Sequence, residues 1–235
     1  MTSMADSMAA MPALAAIPGL VHGFGQRAPG ASPETRAETI ARVAAGLDGD
    51  GRLLLMQQVH GATVALAPWE DAPEADAAVA TERGMLLGIQ TADCLPVLLV
   101  DPERESVAAA HAGWRGTASG VSARAVQALT ASGSRPQDLV AVLGPCIGPC
   151  CYEVGDELRA AFGPKGAAFF RLGPNGKPHL DMRAANERQL QGAGLPTEAI
   201  HHLPDCTHCR PDLYHSYRRD GTGSGRMISF VGYRY

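Results

Sequence analysis

The sequence predicts an α+β (mixed α/β) fold, with layered mixed β-sheets and flanking helices in a single domain. Apolar runs of strand length dominate the region from residue 53 to 113, where Gly, Pro and Asp separate them. Helical periodicity becomes clear only after that region, so strands and helices do not strictly alternate. The 235 residues, 46% of them hydrophobic, are enough to bury a full core.

Individual elements follow from the local patterns. Strands are predicted at 53–56, 63–66, 85–89, 96–100, 107–110, 139–143 and 227–231. Helices are predicted over 117–132, 152–162 and 181–192. In the first helix, Val121, Ala125, Val126 and Leu129 are spaced to share one face, and Asp181 is the expected N-cap of the last.

The first sixteen residues are rich in Met and Ala but contain no Lys or Arg. A secretory signal needs a basic region before its apolar stretch, so we expect a flexible leader over 1–16 and a catalytic domain over 17–235. The longest apolar stretches, such as 95–100, are too short to span a bilayer. These features favour a cytoplasmic protein with no membrane partner.

Charge and missing motifs narrow the functional classes. The net charge of -4 comes from 20 basic and 24 acidic residues spread along the chain, and no Lys/Arg run offers a nucleic-acid surface. The sequence contains no GxGxxG, Walker loop, GxSxG elbow or HExxH. It also lacks the H-x-E and P-C-x-x-C signature of zinc deaminases.

Three segments each place a metal-capable side chain at the end of an apolar strand, and these side chains are His60, Cys94 and His111. Two imidazoles and a thiolate suit zinc, and three protein ligands leave a fourth position open. On spacing alone, a buried apolar Cys and hydrogen-bonded His residues are favoured over a metal site, because three ligands from separate strands have no local signature. The three side chains nevertheless make one metal ion a candidate.

The other cysteines crowd two loops: Cys146, Cys150, Cys151, Cys206 and Cys209. This placement differs from the even spacing of a disulfide scaffold. A single C-x-x-C lacks the second pair that a structural zinc ribbon needs. We therefore expect free thiols that activity does not require.

The metal-ligand segments resemble the family variously described as laccase-domain proteins, multicopper polyphenol oxidases, purine nucleoside phosphorylases or peptidoglycan editing factors. The resemblance runs from residue 17 to about 235 and depends on several motifs occurring in order. They are His22-Gly23-Phe24, Gln58-Val59-His60-Gly61, Thr91-Ala92-Asp93-Cys94-Leu95-Pro96, Ala110-His111-Ala112-Gly113-Trp114-Arg115-Gly116, Gly144-Pro145, Tyr152-Glu153-Val154-Gly155 and Ser216-Tyr217-Arg218-Arg219-Asp220 followed by Thr222-Gly223. The resemblance implies that His60, Cys94 and His111 bind Zn²⁺.

Other polar positions are candidates for further roles. The family often has Ser-Thr-Arg where this chain has Gly25-Gln26-Arg27, so Arg27 keeps the cation while a hydroxyl is lost. Arg115 either clamps an anionic group or forms a surface salt bridge. Asp93 can support the metal centre or accept a proton only if the chain bends beside Cys94, because alternate strand residues point to opposite faces. Asp76 is expected to be structural.

The resemblance implies a zinc-dependent purine nucleoside enzyme. Its reactions would be phosphorolysis of adenosine, inosine, guanosine and methylthioadenosine, together with adenosine deamination. The partners are then a purine nucleoside and phosphate, with Arg27 or Arg115 balancing the phosphate charge. Neither the residues nor the resemblance selects one nucleoside.

Two other chemistries remain open. A copper-dependent polyphenol oxidase would use copper instead of zinc, but the chain has only 8 histidines and no His-x-His pair for an oxygen-reducing cluster. Alternatively, Cys94 is a nucleophile and His111 its base, which gives an amidase that edits cell-wall peptidoglycan precursors. A non-enzymatic binding module fits less well, because ligand-type residues are dense at the strand ends.

Overall fold

The computed structural model describes residues 8–27, 35–47 and 49–235, with thirteen strands and seven α-helices in these ranges. The strands are β1 (Met8–Ala9), β2 (Leu20–Gly25), β3 (Arg52–Leu55), β4 (Val64–Leu66), β5 (Ala77–Ala80), β6 (Met85–Thr91), β7 (Leu95–Asp101), β8 (Ser106–Ala112), β9 (Val140–Leu143), β10 (Phe170–Leu172), β11 (Pro178–Leu180), β12 (Ile200–His202) and β13 (Met227–Tyr233). The helices are α1 (Pro12–Ala15), α2 (Arg36–Gly46), α3 (Trp114–Ala118), α4 (Val121–Ala131), α5 (Asp156–Ala161), α6 (Met182–Gly192) and α7 (Tyr217–Asp220).

Two mixed sheets form the framework. One has five strands in the order β1-β2-β13-β6-β3, and the other has six in the order β12-β9-β7-β8-β5-β4. Parallel pairs occur at both ends of the six-stranded sheet, where β12 pairs with β9 and β4 with β5, whereas its central pairs are antiparallel. Strands β10 and β11 form a separate pair. The predicted α+β (mixed α/β) fold of layered mixed sheets is therefore confirmed.

Apolar side chains on both faces of the sheets build four layers. Leu98 of β7 clusters with Leu87 and Ile89 of β6, which places one core between the two sheets. The neighbouring Val97 and Leu99 belong instead to a core shared with α4 and α6. This alternation follows the period of two along a strand. Helix α2 covers the other side of the five-stranded sheet, so the order of layers is helix, sheet, sheet, helix.

Where the helices differ from the predictions, local backbone explains the difference. The helix predicted over 117–132 is divided into α3 and α4, because Gly120 between them has a left-handed φ of 79°. The helix predicted over 152–162 is restricted to α5, since Glu153 forms an isolated bridge with His179. The predicted N-cap is confirmed: Asp181 accepts a hydrogen bond from the backbone N–H of Ala184 at 3.0 Å.

The expected leader is shorter than the sequence indicated, because residues 8–16 belong to the folded body. Met8 and Ala9 pair with Gly25 and Phe24 of β2, and Leu14 of α1 is fully buried. Residues 1–7 lie outside the described ranges. Among the helices described, none has the length and apolarity needed to cross a membrane.

This N-terminal packing can be tested by Leu14→Ala. We expect the free energy of unfolding to fall by about 2–4 kcal/mol, because the substitution leaves a cavity in the core between the sheets. Leu172→Ala is the matched control; its side chain is 77% exposed, and a change within about 0.5 kcal/mol is expected. Denaturant titration measures both values. Equal effects would contradict the assignment of α1 to the core.

Candidate metal centre

Strand pairing brings the three predicted metal ligands together. Strands β7 and β8 are antiparallel, so Cys94, just before β7, lies beside the end of β8 that carries His111. His60 approaches from the segment between β3 and β4, where its backbone has a left-handed φ of 61°. The ligand atoms of His60, Cys94 and His111 all lie within 4.8 Å of one another. This grouping has the dimensions of a three-ligand metal site with room for a further ligand.

Gly113 allows this close approach. A Cβ atom at that position would lie 3.1 Å from the Cys94 Sγ and 3.1 Å from the Cδ2 of His60. A side chain there would push two ligands apart. The absence of a side chain, rather than an unusual backbone angle, is therefore the reason for glycine.

The sequence predicts a structural role for Asp76. Its carboxylate holds both histidines, through the ring of His111 and the backbone of His60. Its Oδ1 lies 2.7 Å from the His111 Nδ1, and its two oxygens accept hydrogen bonds from the backbone N–H groups of Val59, His60 and Gly61. Burial raises the pKa of Asp76, but the hydrogen bonds and charge of His111 and the backbone donors lower it overall. An ionised Asp76 fixes the proton of His111 on Nδ1 and leaves Nε2 for a metal.

Cys94 and His111 form a charged pair in the absence of metal. Burial disfavours the thiolate, but the charge of His111 and hydrogen bonds from His111 and His60 lower the Cys94 pKa to about 6. Burial also disfavours the imidazolium, but the charge of Cys94 and the hydrogen bond to Asp76 raise the His111 pKa to about 9. The thiolate, which is the form that binds metals, therefore predominates at neutral pH.

The bend that the sequence required beside Cys94 is present. Asp93 has a left-handed φ of 85°, and the chain bends between β6 and β7. Its Oδ1 accepts a hydrogen bond from the Thr207 hydroxyl at 2.6 Å, and its Oδ2 accepts one from the backbone N–H of Arg218 at 2.7 Å. Both oxygens thus anchor a distant loop to the residue that precedes Cys94.

A cleft of about 1220 Å³ opens above the three ligands. Its walls include aromatic side chains and arginines: Trp114, Tyr152, Tyr217, Arg115, Arg218 and Arg226. Arg115 stacks on Trp114 with its guanidinium carbon 4.5 Å from the ring centre, and Arg218 lies 5.2 Å above Tyr152. The cleft therefore combines flat apolar surfaces with positive charge.

The two predicted substrate arginines lie in different places. Arg115 lines the cleft, as expected, whereas Arg27 is absent from the described residues that line it. The Nη1 of Arg27 donates to the Pro211 carbonyl at 3.4 Å, and its backbone N–H donates to the Leu213 carbonyl at 2.7 Å. Of the two predicted arginines, Arg115 thus lines the cleft that contains the candidate metal ligands, whereas Arg27 does not line it among the described residues.

Sequence reasoning assigned no role to Arg218, Gln90, Tyr152 or Tyr217, although all four line the cleft. Gln90 Nε2 is buried and has no hydrogen-bond partner among the described residues. Tyr152 and Tyr217 belong to motifs that occur in order with the motifs of the candidate ligands. That association was the signal that could have assigned both residues to the site. Gln90 ends an ordinary apolar run and gave no such signal.

The expectation that the loop cysteines lack a four-ligand pattern is wrong. The sulfur atoms of Cys150, Cys151, Cys206 and Cys209 all lie within 4.8 Å of one another. The pair missing from the single C-x-x-C is supplied by the adjacent Cys150 and Cys151, about 55 residues earlier in the chain. Cys146 is buried in the core and is not part of this group.

Comparison with known families identifies the family of this chain. The family model of the multi-copper polyphenol oxidoreductase laccases matches residues 26–234, which is nearly the whole chain. This chain belongs to that family. The resemblance stated from the sequence motifs is therefore confirmed.

Several relatives of this laccase-family chain have names that state an enzymatic activity. A purine nucleoside phosphorylase of Streptomyces coelicolor is 42% identical over 207 residues, covering 86% of this chain and 83% of the relative. A purine nucleoside phosphorylase of Deinococcus radiodurans is 39% identical over 205 residues, covering 85% and 78%. A protein named adenosine deaminase RL5, from an unknown prokaryotic organism, is 37% identical over 203 residues, covering 79% and 76%.

Solved structures share the fold of the laccase-family chain. YlmD of Geobacillus stearothermophilus has a TM-score of 0.82 and 31% identity, and 93% of each chain is covered. The hypothetical protein YfiH of Bacillus licheniformis has a TM-score of 0.86 and 27% identity, with 97% of each chain covered. The layered arrangement therefore extends over almost the whole of these proteins.

The support given by Asp76 can be tested by Asp76→Asn. We expect metal affinity to fall by about 10- to 100-fold, because an amide cannot accept all four hydrogen bonds and does not stabilise the Nδ1–H of His111 as a carboxylate does. Competition with a chromophoric chelator measures the affinity. Asp71→Asn, at an exposed position of the same segment, is the control. Unchanged affinity in Asp76→Asn would remove Asp76 from the metal centre.

Metal binding should depend on pH in a defined direction. Because the pKa of His111 is raised to about 9 and that of Cys94 is lowered to about 6, at pH 7 the metal displaces a proton from His111 but none from Cys94. We therefore expect release of about one proton per metal and an affinity that rises about tenfold per pH unit up to pH 9. Calorimetry in buffers of different ionisation enthalpy counts the protons. An affinity independent of pH between 7 and 9 would contradict the charged pair.

Proposed function

We propose that this chain is a zinc-dependent purine nucleoside enzyme that cleaves adenosine, inosine, guanosine and methylthioadenosine by phosphorolysis and also deaminates adenosine. The observation that carries the proposal is the convergence of His60, Cys94 and His111 below a cleft with aromatic and arginine walls. The relatives named purine nucleoside phosphorylase and adenosine deaminase support the substrate class.

The donor set fits zinc. His60, Cys94 and His111 supply two imidazoles and a thiolate, the set found where zinc keeps an open position. Bound zinc would supply a Lewis acid at the floor of the cleft. The Asp76 carboxylate would keep His111 in the required tautomer throughout. Copper is the alternative metal, since the same donors also suit it.

The purine would bind between the aromatic walls. Tyr152 and Trp114 offer flat apolar surfaces, and stacking on such surfaces contributes about 1–3 kcal/mol per base. Gln90 lines the same cleft, and its side-chain amide offers a donor for a purine acceptor such as N7 or an O6. A polar group that is buried without a partner in the free protein gains a hydrogen bond when such a ligand binds.

The phosphate would bind to arginine. In phosphorolysis a phosphate oxygen bonds to the ribose anomeric carbon as the bond to the purine nitrogen breaks, and the departing base takes up a proton. Arg115 and Arg218 border the cleft and can hold the anion in place. Arg27 stays a candidate through the family resemblance, whereas the cleft geometry favours Arg115.

One observation supports a second candidate function, the peptidoglycan-precursor amidase. Without metal, the Cys94 thiolate, the His111 imidazolium and Asp76 have the order of a nucleophile, its base and an orienting carboxylate. A polyphenol oxidase has less support. The two candidate metal groups in the described part of the chain contain two histidines in total, too few for a cluster of several coppers.

Incubation with adenosine and phosphate tests the proposal. We expect adenine and ribose 1-phosphate in amounts that depend on phosphate, and inosine formed without phosphate. Both products should disappear in Cys94→Ala together with the ion bound at His60, Cys94 and His111. Chromatography of the products and elemental analysis give the result. Turnover of a cell-wall amide by metal-free protein, with neither nucleoside product formed, would establish the amidase instead.

Arginine variants separate the two reactions. In Arg115→Ala we expect phosphorolysis to fall by about ten- to a hundred-fold, the loss of one contact to an oxyanion, while deamination falls less. Arg124→Ala, an exposed arginine of α4 away from the cleft, is the control. In Arg27→Ala, measured in the same assay, phosphorolysis should fall less than in Arg115→Ala. Equal losses of both reactions in Arg115→Ala would contradict its role as the phosphate clamp.

A further inference from the structure

The second group of metal-capable side chains lies in two loops at one edge of the six-stranded sheet. Strands β9 and β12 are parallel neighbours, so the loops that follow them leave the sheet side by side. The isolated bridge between Cys146 and Cys206 continues this pairing beyond the strands. Cys150 and Cys151 follow the first bridge residue, and Cys209 follows the second. Tertiary pairing therefore brings two distant cysteine pairs together.

The spacing of the sulfur atoms fits one tetrahedral ion. With Zn–S bonds of about 2.3 Å, the sulfurs of a tetrahedral site lie about 3.8 Å apart. The Sγ atoms of Cys150 and Cys209 are 3.7 Å apart, and those of Cys151 and Cys209 are 3.3 Å apart. A disulfide requires about 2.05 Å, so these distances correspond to ligands around an ion rather than to bonded sulfurs.

The backbone around these sulfurs is held in two tight turns. The N–H groups of Cys209 and Arg210 donate to the Cys206 carbonyl, and the N–H of Gly148 donates to the Cys206 Sγ at 3.2 Å. An N–H group aimed at sulfur stabilises a thiolate. A Cβ at position 148 would lie 3.2 Å from the Cys150 Sγ, so glycine keeps this space open.

Two arginine side chains support the loop that carries half of the group. Four thiolates around one Zn²⁺ carry a net charge of -2, after each thiol has released its proton to solvent. Arg219 Nη1 donates to the carbonyls of Thr207 and His208 within the C-x-x-C turn. Arg183 Nη2 donates to the carbonyl of Asp205, just before that turn. Both guanidinium groups thus stand beside the loop that carries Cys206 and Cys209.

We propose that Cys150, Cys151, Cys206 and Cys209 bind a structural zinc ion, distinct from the ion at His60, Cys94 and His111. All four positions would be filled by protein, so this ion is closed to substrate. It joins two walls of the cleft. Tyr152, next to Cys151, lines the cleft, and Thr207, inside the C-x-x-C turn, holds the Asp93 carboxylate beside Cys94.

Metal analysis of the full chain, purified under reducing conditions, tests the proposal. We expect about two zinc ions per chain in the wild type and about one in Cys94→Ala. X-ray absorption of the zinc left in Cys94→Ala should give sulfur ligands alone, at about 2.3 Å. This variant isolates the four-cysteine site, so the result does not depend on whether the proposed function is correct. Cys94→Ala without zinc, or with iron in its place, would overturn the proposal.

Cysteine variants provide the complementary test. The double variant Cys206→Ser, Cys209→Ser should keep about one zinc, now with mixed nitrogen and sulfur ligands. Cys146→Ala is the matched control, since it removes a thiol of the same loop outside the group, and it should keep both ions.

If the double variant does not fold, the rate of thiol alkylation in Cys94→Ala tests the zinc site instead. The four thiols should resist alkylation until a chelator is added. Immediate alkylation of all four, or a mass lower by two hydrogens per disulfide formed, would show free thiols or disulfides and exclude the zinc site.

Discussion

The Asp76 carboxylate accepts hydrogen bonds from His111 Nδ1 and from three consecutive backbone N–H groups, and the geometry of the candidate metal centre depends on them. The backbone donors hold His60 in a left-handed conformation, which costs about 1–2 kcal/mol for a residue with a Cβ. Charge-assisted hydrogen bonds to a buried carboxylate offset that cost. One acidic side chain therefore fixes the backbone of one candidate histidine ligand, His60, and the ring orientation of the other, His111.

Strand direction explains why these groups meet. Strand β5 begins where its antiparallel neighbour β8 ends, and β7 begins at the same edge, so Asp76, His111 and Cys94 are adjacent there. Strand β9 also ends at this edge, because its last residue pairs near the start of β7, and the parallel β12 ends beside it. Strand β4 begins beside the start of β5, so the His60 segment that leads into β4 reaches the same edge, and Asp76 attaches it there. Among the described residues, a single edge of the six-stranded sheet thus collects every loop that carries a candidate metal ligand.

A hydrogen bond between Thr207 and Asp93 links the two candidate metal groups. Asp93 precedes Cys94 in the bend, and its carboxylate is bound by Thr207, which lies between Cys206 and Cys209. The other oxygen holds the backbone of Arg218 at the border of the cleft. The four-cysteine loops therefore lie next to the residues that shape the cleft, although none of these cysteines lines the cleft among the described residues. This position suits a structural rather than a chemical role.

The sequence by itself determined the strands of the sheet centre and the Asp181 N-cap, because local periodicity and capping chemistry record them directly. Side-chain type and the family resemblance singled out His60, Cys94 and His111 as candidate ligands. Only the tertiary structure brought Cys150 and Cys151 to the C-x-x-C turn, kept Arg27 out of the described cleft lining and turned Asp76 toward two histidines. Those outcomes depend on which strands pair and in which direction. Such pairing joins residues far apart in the chain, and local spacing carries no record of it.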